Sequence, residues 1–361
     1  MSLNKIGSLK IGNLTAKLPI VQGGMGVGIS LSGLAAAVAN EGGIGVIAAA
    51  GIGMINYDFK QSFLKANIEA LREEIRKARA QTKGIIGINI MVALTNFGEI
   101  VKASIEEGID IIFSGAGLPL NLPQFLDETK STKLVPIVSS ARAANIICKK
   151  WMDKYNKLPD AIVVEGPKAG GHLGYHHDQL NDPSFSLDNI IPEVVSTVKK
   201  IEEKYNKEIP IIAAGGIYTG EDIHKYIKLG ASGVQMATRF VTTNECDASI
   251  DFKNSYIECN KEDIVIIESP VGMPGRAIRN SFTDDVEKGQ NKPFKCPYHC
   301  IITCDFKNSP YCIAQALTNA QKGDLEHGFV FAGENAYRSD KIVSVKELMD
   351  SLIEEYKAAS K

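Results

Sequence analysis

A (β/α)8 TIM barrel with a small C-terminal, mainly helical extension or lid is the fold class this sequence predicts, and two observations predict it. Eight short apolar runs, each closed by glycine or another turn residue, alternate with helical segments, as βα units do. The unusual residues, namely paired glycines, a polar asparagine, serines and a histidine, fall at or just beyond the C-terminal ends of those runs. In a closed barrel these ends meet at one mouth, where barrel enzymes keep their active sites. A doubly wound sheet shares the alternation, and the clustering of unusual residues is what favours the barrel over it.

Taken in order, Ile20 to Gln22 is a short strand closing on Gly23-Gly24-Met25-Gly26, and an alanine-rich helix follows from Ser32 to Asn40. Gly42-Gly43 ends that helix, as glycine does at a C-terminus, and Ile44 to Ala49 is the second strand. A charged amphipathic helix spans Phe59 to Gln81, and Gly87 to Met91 is the third strand. Asn89 is a polar residue inside that apolar run, where a buried amide must find partners or bind something. A helix over Phe97 to Glu107 leads to the fourth strand, Ile111 to Ser114, capped by Gly115-Ala116-Gly117. Val135 to Ser139 is the fifth, followed by a helix from Ala143 to Tyr155. The sixth, Ile162 to Val164, runs into a glycine-rich turn, and Pro192 to Tyr205 is its helix. Pro210 to Ala213 is the seventh, ending in Gly215-Gly216 with a helix over Glu221 to Leu229, and Gly233 to Met236 is the eighth. Residues 1–240 thus form the barrel. Residues 241–361 form a segment that packs over its mouth and closes the structure, with helices over Ala314 to Gly323 and Val345 to Tyr356.

Composition excludes several function classes. The 361 residues are 44% hydrophobic and 23% charged with a net charge of −2, and no dense Lys/Arg block offers a footprint for nucleic acid or an anionic membrane. No apolar run reaches membrane-spanning length and the first residues lack the apolar core of a secretory signal, so a cytoplasmic location is expected. Seven cysteines are an odd number for a disulfide framework. Cys296, Cys300, Cys304 and Cys312 are close enough in sequence to hold zinc or an iron–sulfur cluster. On one straight helix, however, Cys296 and Cys304 would stand about 12 Å apart. Buried free thiols are the expectation, and no metal ligand is assigned.

The chemistry concentrates in AIVVEGPKAGGHLGY, residues 161–175. Gly170 and Gly171 admit a ligand where a side chain would block it, and His172 is the side chain best suited to moving protons near neutral pH. Glu165, just after the strand, more often caps a helix or pairs with a base and stays outside the catalytic set. Gly215-Gly216 after the seventh strand and Ala237-Thr238 after the eighth, with Arg239 beyond, supply free backbone N–H groups and a hydroxyl for a phosphate dianion. His176, His177 and Asp178 form no expected metal site, because adjacent histidines on a loop point in different directions. An isomerase or aldolase would need a Schiff-base lysine or paired acids at strand ends, and Lys168 sits in a solvated turn. A non-catalytic barrel binding a phosphate-bearing ligand is the remaining non-enzyme class.

GGMGVGIS, GINIM, SGAGLP, EGPKAGGHLG, AAGGIYTGEDI and VQMATRF together resemble the FMN-dependent nitronate monooxygenase family, formerly called 2-nitropropane dioxygenases. The FMN-dependent enoyl-ACP reductases share these motifs. The resemblance spans Leu18 to Arg239 and returns in RAIRN and AGENAY. It implies FMN in the barrel mouth and oxidation of alkyl nitronates with O2 to carbonyl compound and nitrite. The alternative it carries is reduction of an enoyl thioester, with NAD(P)H as co-substrate; a homodimer is the candidate assembly. Carried over by residue, Gly23, Gly24 and Met25 would lie against the isoalloxazine and Asn89 would hydrogen-bond its polar edge. Gly170, Gly171, Gly215, Gly216, Ala237 and Thr238 would hold the phosphate end, with Gln235 near the ribityl chain. His172 would face the substrate as the catalytic residue. Some members carry a lysine by the flavin after the fifth strand; this chain reads VSSARAA, so Ser139 or Ser140 would serve there. The resemblance also implies that ESPVGMPGRAIRN folds back over the flavin, with Tyr337 a pocket-lining candidate.

Overall fold

The structure, a computed structural model, describes residues 6–56, 62–127, 129–290, 292, 294–296 and 298–361. Eight parallel strands form its centre: β1 (Ile20–Gln22), β2 (Gly45–Ala48), β3 (Ile86–Met91), β4 (Ile111–Gly115), β5 (Lys133–Val138), β6 (Ile162–Glu165), β7 (Ile211–Ala214) and β8 (Gly233–Met236). Each pairs with the next in sequence from β2 to β8, and β8 pairs with β1. Closure comes from a parallel bridge between Val21 and Ile44. There Ile44 N–H donates to the Ile20 carbonyl and Gln22 N–H to the Ile44 carbonyl, both at 2.9 Å. The sheet is therefore a closed barrel and not a doubly wound sheet.

Alternation along the strands divides the core in two. Val21, Val46, Phe113, Val135, Val163 and Ile212 point inward and fill the barrel, while Ile20, Ile47, Ile88, Ile112, Ile162 and Val234 point outward beneath the helices. A hairpin of two three-residue strands, Leu9–Ile11 and Leu14–Ala16, adds Leu9, Ile11 and Ala16 to the inner cluster. Strands so short show no readable period, and the sequence reading has no counterpart for them.

The outer helices are α1 (Ser32–Asn40), α2 (Phe63–Gln81), α3 (Phe97–Glu106), α4 (Ala141–Tyr155), α5 (Leu187–Tyr205) and α6 (Gly220–Lys228). Ser62 caps α2 by accepting the Lys65 N–H, and the start expected at Phe59 lies outside the described residues. α5 begins at Leu187 and carries Pro192 inside it, where the sequence placed its first turn. Burial of Leu187, Ile190 and Ile191 against the barrel outweighs the one hydrogen bond that the proline removes. After β4 the connection contains a 3-10 turn, Leu122–Phe125, in place of an α-helix.

Beyond the one-turn α7 (Thr238–Val241) come α8 (Ile250–Glu258), β9 (Ile264–Glu268), β10 (Pro274–Ile278), α9 (Ser281–Glu287), α10 (Ile313–Gln321), β11 (Val330–Phe331) and α11 (Val345–Ala359). The segment is largely helical, with a small antiparallel sheet that the sequence reading treated only as a crossing stretch. β10 pairs with β9, with β11 and with a two-residue strand, Gly171–His172, through Gly275 opposite His172 and Arg276 opposite Gly171. The crossing is thus tied by main-chain pairing to the turn after β6. α11 packs against α6 and α1 and takes the eighth outer position of the barrel. A Cβ at Gly220 would come 2.2 Å from the Leu352 carbonyl, so glycine is what allows the two helices to approach. Among the described residues, no helix is long and apolar enough to cross a membrane.

Candidate active site

The C-terminal ends of the strands open on a cavity of about 480 Å³, within the range of small-molecule sites. Gly23, Gly24, Met25, Asn89, Ser139, Gly170, Gly171, His172, Gly215, Gly216, Gln235, Ala237 and Thr238 all line it. Positions spread over more than two hundred residues of sequence thus share one wall, because a parallel barrel places every strand's C-terminal end on the same rim.

The glycines are sterically required at several of these positions. A Cβ at Gly24 would fall 2.4 Å from the Asn89 Cβ. Gly215 and Gly216 have φ of +93° and +85°, a region closed to most side chains, and a Cβ on Gly216 would meet the Lys168 Cβ at 2.7 Å. Gly216 is further fixed by Asn335, whose Nδ2 donates to its carbonyl at 2.7 Å. The Thr238 hydroxyl abuts Gly333, where an added Cβ would come within 2.6 Å. The AGENAY motif therefore packs directly on the two proposed phosphate turns. Among the described residues, the side-chain amides of Asn89 and Gln235 have no hydrogen-bond partner in the protein, and both border the cavity. Unpartnered amides on a glycine cradle fit a ligand with a polar ring edge and a phosphate, as FMN has.

His172 lines the same cavity, next to Gly171 in the two-residue strand after β6. Its Nε2 is 2.7 Å from Ser269 Oγ in the β9–β10 turn, and its ring meets Phe331 edge-on at 5.0 Å. Burial lowers its pKa from 6.5 to about 4, so the imidazole is neutral at physiological pH. Val271 N–H also reaches Ser269 Oγ, at 3.4 Å. The serine hydroxyl can therefore donate its proton to Nε2 while accepting from the backbone.

Arg276 holds the turn before His172. It is buried and donates to the carbonyls of Pro167 and Ala169 at 2.7 and 2.6 Å, with Glu334 at 3.8 Å and Lys168 closing the ion pair at 2.9 Å from Glu334. Burial lowers the Arg276 pKa, against the pull of Glu334. Glu165 lines the cavity, and burial pushes its carboxyl up to about 7. Tyr175 Oη donates to the Glu165 carbonyl at 2.6 Å and to the Ser139 carbonyl at 3.3 Å, joining the ends of β5 and β6.

Several expectations are resolved by position. Ser139 lines the cavity, whereas Ser140 caps α4 by accepting the Ala143 N–H at 3.2 Å. His176, His177 and Asp178 are exposed. Among the described residues no three metal-ligating side chains are gathered for one ion. Arg239 turns away from the cavity to pair with Glu355 of α11 at 3.1 Å. Tyr337 is not on the cavity wall; Glu334 and Asn335 of the same motif make the contacts toward it. Sequence reasoning missed Ser269, Arg276 and Asn335 as supports. Their signal lay in ESPVGMPGRAIRN and AGENAY, both noted without a role for any one side chain.

A family profile described as nitronate monooxygenase matches residues 7–355. A (3aS,4S,5R,7aS)-5-hydroxy-7a-methyl-1-oxo-octahydro-1H-indene-4-carboxyl-CoA dehydrogenase of Mycobacterium tuberculosis is 27% identical over 271 residues, 75% of this chain and 66% of that protein. A probable nitronate monooxygenase of Staphylococcus haemolyticus is 25% identical, with 96% of each chain covered. Among solved structures, FabK from Thermotoga maritima superposes with a TM-score of 0.72 at 27% identity, covering 95% of this chain and 94% of that one. A nitroalkane oxidase from Streptomyces ansochromogenes has a TM-score of 0.70 at 19% identity over 95% and 97%, a likeness of fold alone.

Proposed function

The chain belongs to the nitronate monooxygenase family and is an FMN-dependent oxidoreductase, and from that premise we propose that it oxidises alkyl nitronates with dioxygen to a carbonyl compound and nitrite. The observation that carries this reading is the neutral His172, held by Ser269 on the cavity that the glycine turns also line. FMN held by these residues would supply the redox chemistry between the substrate and dioxygen.

The chain's own residues do the rest in this proposal. Gly23, Gly24 and Met25 give a flat floor for the ring, and Asn89 and Gln235 satisfy its polar edge and the ribityl hydroxyls. Gly170, Gly171, Gly215, Gly216, Ala237 and Thr238 take the phosphate, with Asn335 and Arg276 fixing the turns that carry them. His172 hydrogen-bonds the nitro oxygens of a nitronate, or takes the proton from the carbon beside nitrogen when a neutral nitroalkane enters. When Ser269 donates to Nε2, the neutral ring offers Nδ1–H to a nitro oxygen; when Ser269 accepts from Nε2–H, the Nδ1 lone pair is free to take the proton. Met91, Leu94 and Leu118 on the cavity wall suit an alkyl chain.

Mixing the oxidised holoenzyme anaerobically with a nitronate and, separately, with NADH or NADPH tests the reading. Rapid bleaching of the flavin by nitronate is expected. Bleaching by NAD(P)H alone would instead favour a second reading, reduction of an enoyl thioester. That reading draws on the motifs shared with enoyl-ACP reductases and on the likeness to FabK. A purified protein without flavin absorbance would support a non-catalytic ligand-binding barrel.

A further inference from the structure

Cys296, Cys300, Cys304 and Cys312 are spaced C-x3-C-x3-C-x7-C and are free thiols. The objection that a straight helix would hold them apart does not apply, because the described residues from Lys295 to Cys312 form turns and bends with no helix. His299 has a φ of +42° and its N–H donates to Cys296 Sγ at 3.3 Å, turning the chain between the first two cysteines. Cys304 N–H donates back to the Ile301 carbonyl at 3.3 Å.

The loop is anchored to the connection between β3 and α3. Leu94 and Ile301 form an antiparallel bridge, Thr95 N–H donates to the Cys300 carbonyl at 3.1 Å, and Thr95 Oγ1 donates to the His299 carbonyl at 2.7 Å. Cys312 sits at the N-cap position of α10, and Cys300 lies on the cavity wall beside Ile301. Cys300 and Cys304 pack against one apolar cluster that includes Tyr311 and Ile313, the residues on either side of Cys312, so the loop folds back to bring these cysteines to one place.

The kind of centre follows from the donor set, four cysteines within seventeen residues of sequence. Around one zinc ion, sulfurs bound at about 2.3 Å in a tetrahedron stand only about 3.8 Å apart. Among the described residues no such gathering of three donors exists. In a four-iron cluster each sulfur binds a different iron, so the sulfurs surround a larger object and stand further apart. We infer that the loop from Cys296 to Cys312 holds a [4Fe–4S] cluster through its four thiolates, on the wall of the cavity that the FMN reading assigns to the flavin. Such a cluster is a one-electron centre bordering the proposed two-electron site. Its existence does not depend on that assignment.

Iron, acid-labile sulfide and flavin are measured separately on the full chain purified without air, before and after incubation with ferrous iron and sulfide. About four iron and four sulfide per chain are expected, with broad visible absorption that persists after flavin is removed. Cys304→Ser and Cys312→Ser lose the iron and sulfide while keeping flavin and the circular dichroism of the wild type. Cys148→Ala, a thiol on α4 outside the loop, keeps them. A chain that holds flavin but no iron or sulfide after reconstitution, or that holds a single zinc, overturns the inference; the wild-type stoichiometry decides this even where a variant misfolds. Iron without flavin would leave the cluster standing and sink the FMN reading instead.

Discussion

His172 Nε2 and Ser269 Oγ stand 2.7 Å apart, joining the turn after β6 to the hairpin that crosses the barrel mouth. One hydrogen bond thus links two segments separated by 97 residues, and the orientation of the imidazole depends on both. Ser269→Ala removes this partner without emptying the cavity. It is expected to lower kcat/KM by about tenfold, the worth of one hydrogen bond, with flavin content unchanged. His172→Ala is expected to lower the rate by about 10²–10⁴ for a substrate that must lose a proton. Steady-state kinetics with a neutral nitroalkane beside its preformed nitronate would show a smaller loss for the anion; an equal loss with both would argue against a proton-transfer role.

The lowered pKa of His172 fixes a pH dependence. The neutral ring is the active form, so kcat/KM should stay level well below pH 6.5 and fall only near pH 4. Stability follows the same window. The folded chain binds a proton at His172 less readily than the unfolded chain, so this contribution is complete above pH 6.5 and is lost as pH falls toward 4. A kinetic acid limb centred near 6.5 would show that the ring is solvated in the working enzyme.

Glu165 has the opposite sign. Its folded pKa is raised from 4.5 to about 7, so its contribution is complete below 4.5 and is lost as pH rises through 7. Glu165→Gln keeps the shape and removes the charge. The variant should melt higher than the wild type at pH 8 and closer to it at pH 5, a difference that thermal unfolding at the two values reads directly.

Gly216→Ala places a methyl group against Lys168 at a left-handed backbone position. Loss of FMN on dialysis is expected, with the far-ultraviolet circular dichroism retained. Asn335→Ala leaves the glycine but frees its carbonyl. It should weaken FMN binding by about tenfold or less, the range of a single hydrogen bond, measured by fluorescence titration of the apoprotein.

Much of this architecture was legible from local pattern. The β1 and β8 strands fall at the residues where glycine-bounded apolar runs place them, and the residues proposed for FMN line one cavity because they lie near or beyond the C-terminal ends of strands of the same barrel. What was not legible is non-local. Arg276 reads as an ordinary arginine until β10 pairs with Gly171 and lays its guanidinium under two carbonyls of the turn. Ser269 lies in a turn rich in glycine and proline whose partner is set by tertiary pairing. Pro192 marks a helix start by local rule, and the burial of the residues before it overrides that rule.

The place of α11 has a consequence for biosynthesis. Its position against α6 and α1 is the last gap in the outer ring, yet its residues leave the ribosome well after β8 has done so. Until then Leu34, Val38 and Ile223, buried in the finished protein, belong to helices that border an open seam. A barrel that formed before α11 was complete would expose this apolar groove, a surface suited to a chaperone that holds apolar segments.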